Sequence, residues 1–203
     1  MECFNKNDIK KLLLCNTHLG TKTCENLMKT YTWRERKDGI FIINISKTIK
    51  KLKLAARAIA AVKDNSNIIA ISTGVGSQKA ILKFSSFIKC QTVVGKWVSG
   101  KFTNHMCTSF QEPEIIILAN PKIDYQPLSE ASRANIPTIA FCNTDTSLRF
   151  IDIAIPGNNL NNHSIALLWW MLTREVLKYK GCIVEIKEWD VPVTSFLNTV
   201  VEN

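Results

Sequence analysis

The feature that most constrains the fold is an alternation of short apolar runs with longer stretches of helical periodicity. The apolar runs are rich in β-branched residues and end at Gly, Pro or Asn, which is typical of strands covered on both faces. Strands that alternate with helices indicate βαβ units and a mostly parallel sheet. After an N-terminal helical region, the predicted strands are residues 40–45, 68–72, 91–94, 115–119, 138–142 and 151–155, and the predicted helices are residues 46–63, 77–88, 127–134 and 163–180.

The length and composition fit one α/β domain. The chain has 203 residues, of which 46% are hydrophobic, and it contains no internal repeat and no Pro- or Ser-rich linker. We therefore expect a single domain at residues 1–190, followed by a short tail at residues 191–203. The longest apolar run of the last helix, residues 165–172, is too short to span a bilayer, and the charged N-terminus predicts no secretory signal.

The seven cysteines are widely spaced, odd in number and never form a C-x-x-C pair. This usage predicts reduced thiols in a cytosolic compartment. Because the cysteines and the three histidines lack ligand spacing, we expect no metal site and no cofactor.

The positive charge is confined to the first third of the chain. Residues 1–63 hold 14 Lys or Arg and 5 Asp or Glu, whereas residues 64–203 hold 12 of each. The whole formal net charge of +9 therefore lies at one end of the sequence. Such clustering favours a polyanionic partner over a uniformly solvated surface.

Two segments of this first third are candidates for that partner. The helix at residues 46–63 places its apolar side chains on one arc and its basic side chains on the other. Just upstream, a second basic cluster lies beside Tyr31 and Trp33, which either stack on exposed bases or pack in the fold. The basic residues of the helix are Lys47, Lys50, Lys51, Lys53 and Arg57, and those of the upstream cluster are Arg34, Arg36 and Lys37.

A small-molecule or nucleotide-binding α/β enzyme is the alternative interpretation. The loop STGVGSQK at residues 72–79 follows a strand and opens a helix, where backbone amides can bind phosphate. However, it lacks both the third Gly of a dinucleotide site and the Gly-Lys-Ser/Thr of a P-loop. Asn143 and Asp145 follow another strand, but no nucleophile or second carboxylate completes a catalytic set. We favour an ion pair between Arg149 and Asp152 over a catalytic role, and we expect core packing for the adjacent Trp169 and Trp170.

A longer ordered set of motifs then resembles a known family, the S-two family of small-subunit ribosomal proteins, in its eukaryotic branch, also called the laminin-receptor precursor. The resemblance covers roughly residues 16 to 185. Its motifs are THLG (17–20), KDGIFIIN (37–44), LAARAI (54–59), GKFTN (100–104), EP (112–113), DYQPLSEAS (124–132), NIPTIAFCNTD (135–145), DIAIPGNN (152–159), HS (163–164) and WWMLTREV (169–176).

The resemblance implies a three-layer flavodoxin-like fold without enzymatic activity, located in cytoplasmic ribosomes. It implies ribosomal RNA and neighbouring proteins of the S-five and S-twenty-one families as partners, and neither a membrane nor a small-molecule substrate. It adds Lys101 and Asn104 to the RNA-binding candidates. It also implies that Asn143, Asp145, Arg149 and Asp152 hold a loop or face a neighbouring protein. The long acidic tail of animal members does not follow Trp189 to Pro192, which argues against a laminin-receptor role.

Overall fold

Five parallel β-strands form the central sheet of the computed structural model, which describes residues 6–183 and 189–198. The sheet strands are β3 (Ile68–Ser72), β4 (Gln91–Val94), β5 (Ile115–Leu118), β6 (Thr138–Cys142) and β7 (Ile153–Pro156), and two further strands, β1 (Thr32–Glu35) and β2 (Phe41–Ile43), lie outside this sheet. The helices are α1 (Lys6–Leu14), α2 (Ile45–Ala61), α3 (Gln78–Ile88), α4 (Tyr125–Arg133) and α5 (Asn162–Tyr179). The sheet strands lie in the order β4-β3-β5-β6-β7. Numbered by their sequence within the sheet, this is the 2-1-3-4-5 order of flavodoxin-like folds.

The sheet strands confirm the α/β prediction. All residues of β3, β5 and β6 are buried, as expected for strands covered on both faces. Their side chains alternate between two apolar layers, so that Ile117 faces one layer and Ile116 the other. The fold is therefore the three-layer arrangement that the motifs imply.

Helices α2, α3 and α5 cover one face of the sheet, and α4 with two loop segments covers the other. Trp169 lies at the centre of the first layer, with its ring 5.0 Å from those of Phe84 and Phe141. Trp170 is also buried, and its Nε1 donates to the carbonyl of Val191 at 2.8 Å. Both tryptophans therefore belong to the core, as predicted.

The segment at residues 189–198 also packs on this first layer. Phe196 is fully buried, and its ring stacks 6.2 Å from that of Phe87. Trp189 lies between them and Trp170, at 5.1 Å from the ring of Phe87 and 5.6 Å from that of Trp170. This end of the described chain thus adds aromatic area to the hydrophobic core.

The sequence predicts residues 40–45 as a strand of the mostly parallel sheet, and this prediction is wrong. Its observed part, β2, forms a separate antiparallel hairpin with β1, a strand that the sequence did not predict. Gly39 adopts a φ of +77° in the connecting turn, a conformation that glycine adopts without steric cost. The residues of β1 are mostly exposed, so the period-2 apolar pattern that would mark a strand is missing.

An ion-pair network attaches α1 to α5. Arg174 donates to both carboxylate oxygens of Asp8 at 2.8 Å, and it also donates to Glu175 at 2.9 Å. The guanidinium lies 5.0 Å from the ring of Trp170. This bidentate geometry fixes the direction in which the N-terminal helix crosses the body of the domain.

Candidate nucleic-acid interface

The position where flavodoxin-like folds bind ligands is filled by the protein itself. The strand order reverses between β3 and β5, and a crevice is expected beyond their carboxyl ends. There the buried carboxylate of Asp124 accepts from the backbone N and the hydroxyl of Thr73 at 2.9 and 2.6 Å. Its second oxygen accepts from the backbone N of Asn120 at 3.3 Å. A carboxylate thus occupies the donors that a phosphate would need.

The glycine-containing loop at residues 72–79 is covered as well. The hydroxyls of Ser72 and Ser77 bond each other across the turn, and both are buried. Gly76 lies directly against the side chain of Asn162 at the start of α5, so that a Cβ added there would displace that side chain. Asn198 donates to the carbonyl of Val75 from outside at 2.8 Å. The loop is a packed turn rather than an open phosphate site.

The polar loop after β6 holds the N-terminal segment onto the sheet. Thr144 is fully buried, and its hydroxyl accepts from the backbone N of Thr21 at 2.9 Å. Its carbonyl accepts from the backbone N of Glu25 at 2.9 Å, while Asn143 accepts through its side chain from Thr144 N at 2.8 Å. Asn143 and Thr144 therefore make hydrogen bonds that stabilise the fold. Their position after a strand is where the sequence left a catalytic interpretation open.

Two other members of this loop region have partners that the sequence did not identify. Asp145 accepts from the ammonium of Lys122 at 2.8 Å, and this hydrogen bond, together with the negative charge of the carboxylate, raises the pKa of Lys122. Asp152 precedes β7 instead of lying inside it, and its carboxylate accepts from the backbone N of Thr138 at 2.8 Å. The predicted ion pair with Arg149 is wrong: Arg149 is exposed and forms no ion pair with any residue that the structure describes.

The exposed face of α2 carries the predicted basic residues. The opposite face buries Leu52, Ala55, Ala56 and Ile59 against the sheet and α5, as the amphipathic pattern predicts. The cap is Asn44, whose side chain accepts from Ser46 N at 3.0 Å. Of the basic residues, Lys47, Lys50 and Arg57 are exposed, while Lys51 and Lys53 are half-buried.

The basic face of α2 adjoins the hairpin. Lys47 donates to the carbonyl of Thr30, and the ammonium of Lys51 lies 5.8 Å from the ring centroid of Tyr31. Arg34, Arg36 and Lys37 are exposed in the hairpin and its turn, where Arg36 pairs with Asp38 at 3.2 Å. We call these exposed cations the basic surface, which consists of Lys47, Lys50 and Arg57 of α2 and Arg34, Arg36 and Lys37 of the hairpin.

Lys101 and Asn104 lie apart from the basic surface. Their loop covers the opposite face of the sheet, where Trp97 and Phe102 enter the second apolar layer. The ammonium of Lys101 lies 5.7 Å from the ring of Trp97, and burial lowers its pKa. Glu130 anchors this loop by accepting from Gly100 N at 3.0 Å and from Trp97 Nε1 at 3.2 Å. The loop of these two candidates and α2 therefore pack on opposite faces of the sheet.

The cysteines offer no activated nucleophile on the sheet. Burial raises the pKa of the Cys90 thiol to about 12, and it also raises the pKa of the fully buried Cys142. Both thiols therefore stay protonated at neutral pH and behave as small apolar side chains. In the described part of the chain, no cluster of three potential metal ligands occurs. No described helix combines the length and the apolar character that crossing a bilayer requires.

Sequence reasoning missed three residues that shape this region. Gly20 approaches Thr144 so closely that a Cβ on it would lie 2.5 Å from the threonine methyl carbon. Asp124 follows the end of β5 and precedes α4, a position that suggests an N-cap, yet it makes no cap hydrogen bond and instead accepts from Thr73, the residue after β3. Gly20 and Asp124 lie in the quoted motifs THLG and DYQPLSEAS, but nothing in those motifs indicated their partners. Lys122, the partner of Asp145, carried no signal.

Comparison with known proteins gives one consistent result. The family model described as ribosomal protein S2 matches residues 12–111 and 105–178. Small ribosomal subunit protein uS2 of Ornithodoros parkeri is 45% identical over 190 residues, that of Diaphorina citri 43% over 191, and that of Drosophila persimilis 46% over 188. These alignments cover 94%, 94% and 93% of this chain. The chain spans about two thirds of the length of these relatives, with 64%, 64% and 70% of them covered.

Proposed function

Because the chain belongs to the ribosomal protein S2 family, we propose that it is a structural component of the small ribosomal subunit and binds ribosomal RNA. The basic surface is the part of the chain that contacts RNA phosphates. Such contacts fix the position of a protein on RNA without reading its bases. The function supports subunit assembly and translation, in the ribosomes of the cytoplasm.

One observation carries this proposal: basic side chains from the first third of the sequence are exposed on the surface of the fold. Lys50 and Arg57 are exposed one above the other on α2, seven residues apart and therefore on the same helix face. Neither forms an ion pair with a described residue, so their charges are available to a polyanion. The hairpin, whose first strand follows the contacts of Lys47 with Thr30 and of Lys51 with Tyr31, adds the exposed Arg34 and Lys37.

The packed sheet edge supports a role without catalysis. Asp124 occupies the donors of Thr73, and a negative carboxylate at that place repels a phosphate group. We propose that the loops at this edge, including Asp145 and Arg149, face neighbouring ribosomal proteins. Proteins of the S-five and S-twenty-one families are the partners that the family resemblance supplies.

The test combines salt dependence with a matched control. The variant Lys50→Ala/Arg57→Ala removes two unpaired charges from the basic surface. It is expected to lower the slope of log K against log salt, measured with small-subunit RNA, by roughly 0.7–0.9 for each phosphate that is no longer neutralised. The control Lys83→Ala/Lys96→Ala removes two exposed charges elsewhere in the chain and is expected to leave the slope unchanged.

Two results would count against the proposal. Equal slopes for both double variants would show that α2 does not contact the phosphates. A tagged chain that never co-sediments with small subunits in cells would contradict the ribosomal role itself.

A further inference from the structure

An apolar groove lies between α1, the hairpin and the start of α2. Its volume is about 410 Å³, which is within the range of small-ligand pockets. Leu13 of α1 forms one wall, Trp33 and Ile42 of the hairpin form another, and Ile45 of α2 closes the end. His18 also lines the groove, and burial lowers its pKa, so that its ring is neutral at neutral pH.

Trp33 is unlike the other described tryptophans. Trp33 is 69% exposed, whereas Trp97, Trp169 and Trp170 are at most 8% exposed and Trp189 is partly buried. Tyr31, the neighbouring aromatic residue, is partly buried and packs against the second apolar layer, with Lys51 over its ring. Of the two aromatic residues that the sequence marked beside the basic cluster, only Trp33 therefore offers an open ring face.

The segments around the groove carry more cations than carboxylates. Asp8 and Asp38 are paired with Arg174 and Arg36, and Glu35 of β1 is exposed. Lys10 lies three residues before Leu13 and hence on the same side of α1. Arg34 follows Trp33 directly, and Lys37 lies in the turn of the same hairpin. All three are exposed and form no ion pair with a described residue. Among the residues that the structure describes, no carboxylate lines the groove.

We infer that this groove receives an unstacked base of single-stranded RNA, which stacks on Trp33 while the flanking cations contact its phosphates. This inference rests on the proposed function and specifies how one part of the RNA is held. A base supplies an apolar planar face to the groove and a negative backbone to its rim. An apolar side chain of a protein would match the walls but would leave the positive rim without a counterpart. The pairing of an aromatic platform with a basic track is the usual physical basis of single-strand binding.

The experiment uses the full 203-residue chain and three polyanions: an oligouridylate, an RNA duplex of equal length, and inorganic polyphosphate, which has charge but no bases. Trp33→Ala is expected to weaken oligouridylate binding roughly 5- to 150-fold. Binding of polyphosphate and of the duplex should change less than about twofold, since neither offers an unstacked base to the groove. Trp33→Phe should keep most of the affinity for the oligouridylate.

Two controls separate stacking from other effects. Trp33→Leu keeps an apolar side chain but no ring and should lose as much affinity as Trp33→Ala. Phe150→Ala removes another exposed aromatic side chain, 52% exposed, and should leave all three affinities unchanged. Fluorescence should also be quenched by oligouridylate in the parent protein and much less in Trp33→Phe, because Trp33 is the most exposed of the described tryptophans. Circular dichroism spectra show whether each variant is folded.

The outcomes distinguish this inference from the proposed function. Loss of polyphosphate binding in Trp33→Ala, or full oligouridylate binding by Trp33→Leu, would overturn the stacking role. Unchanged oligouridylate binding by Trp33→Ala would also overturn the inference. If that variant in addition failed to co-sediment with small subunits, the groove would be assigned to a protein partner. If the parent chain binds none of the three polyanions, the proposed RNA-binding function itself fails.

Discussion

The close approach of Gly20 to Thr144 leads to the most specific prediction about stability. A Cβ added at Gly20 would lie 2.5 Å from Cγ2 and 2.8 Å from Oγ1 of Thr144, and 3.0 Å from the carbonyl oxygen of Phe41. Thr144 cannot rotate away freely, because it is fully buried and its hydroxyl accepts from Thr21 N at 2.9 Å. Gly20→Ala must therefore either displace residues 18–21 or break the bond to Thr21.

The expected cost follows from these two responses. Overpacking a filled site costs about 1–3 kcal/mol. Leaving the partly buried Thr21 backbone N–H without an acceptor, the alternative response, likewise costs about 1–3 kcal/mol. The reduced entropy of the unfolded alanine chain offsets up to about 1 kcal/mol of either cost. We therefore expect Gly20→Ala to lower the free energy of unfolding by about 1.5 kcal/mol, and by no more than about 3 kcal/mol.

Urea unfolding followed by circular dichroism measures this loss, and two variants control it. Thr144→Ser removes the nearer carbon and keeps the hydroxyl. Combined with Gly20→Ala, it should recover at least about 1 kcal/mol relative to the sum of the single changes. Gly74→Ala is the matched control, because its Cβ would meet no atom closer than 3.7 Å and its φ is −75°. A Gly20→Ala variant as stable as Gly74→Ala, or a double variant without recovery, would refute the steric explanation.

The remaining predictions concern buried charges. Arg174→Met should lower the free energy of unfolding by about 3 kcal/mol, because it leaves the carboxylate of Asp8, 15% exposed, without its bidentate partner; a change below about 1 kcal/mol in urea unfolding would contradict this. Burial raises the pKa of Asp124, so its contribution to stability is greatest below the unfolded pKa and is lost as pH rises through the folded value. The stability of Asp124→Asn relative to the parent should therefore increase as pH rises above about 4, and a constant difference would contradict the assignment. Burial alone would raise the pKa of Glu130, but hydrogen bonds from Gly100 and other donors outweigh it and lower the pKa. This contribution is fully present above the unfolded pKa and is lost as pH falls through the folded value, so exchange of the Gly100 amide should accelerate in acid; exchange independent of pH after correction for the intrinsic rate would contradict it.

The sequence predicted the sheet more accurately than the segment before it. The strands β3, β4 and β6 begin and end where the sequence placed them, because a short run rich in β-branched residues is a local signal. The first observed strand, β1, contains the exposed residues Trp33, Arg34 and Glu35, so no apolar pattern marks it. Its partner β2 has an apolar run, and that run was therefore assigned to the wrong sheet.

The sequence predicted which charged residues of α2 are exposed, but it did not predict how the candidate residues are arranged in space. The exposed cations of α2 could be placed because helical periodicity separates them from the buried face. The position of Lys101 relative to them could not, since it depends on which face of the sheet a distant loop covers. The ion pair proposed for Arg149 failed for a related reason: Asp152 had a nearer donor in the backbone of Thr138, on the neighbouring strand.

The sequence by itself determined the fold class, the family and the location of the positive charge along the chain, because each of these follows from local patterns or from ordered motifs. The tertiary structure alone decided what the loops at the sheet edge do. Thr21 and Thr144 are 123 positions apart, and Thr73 and Asp124 are 51 positions apart. Contacts over such separations depend on how the strands are ordered and on which side each connection crosses. The same is true of the groove at Trp33, whose walls come from α1, the hairpin and α2.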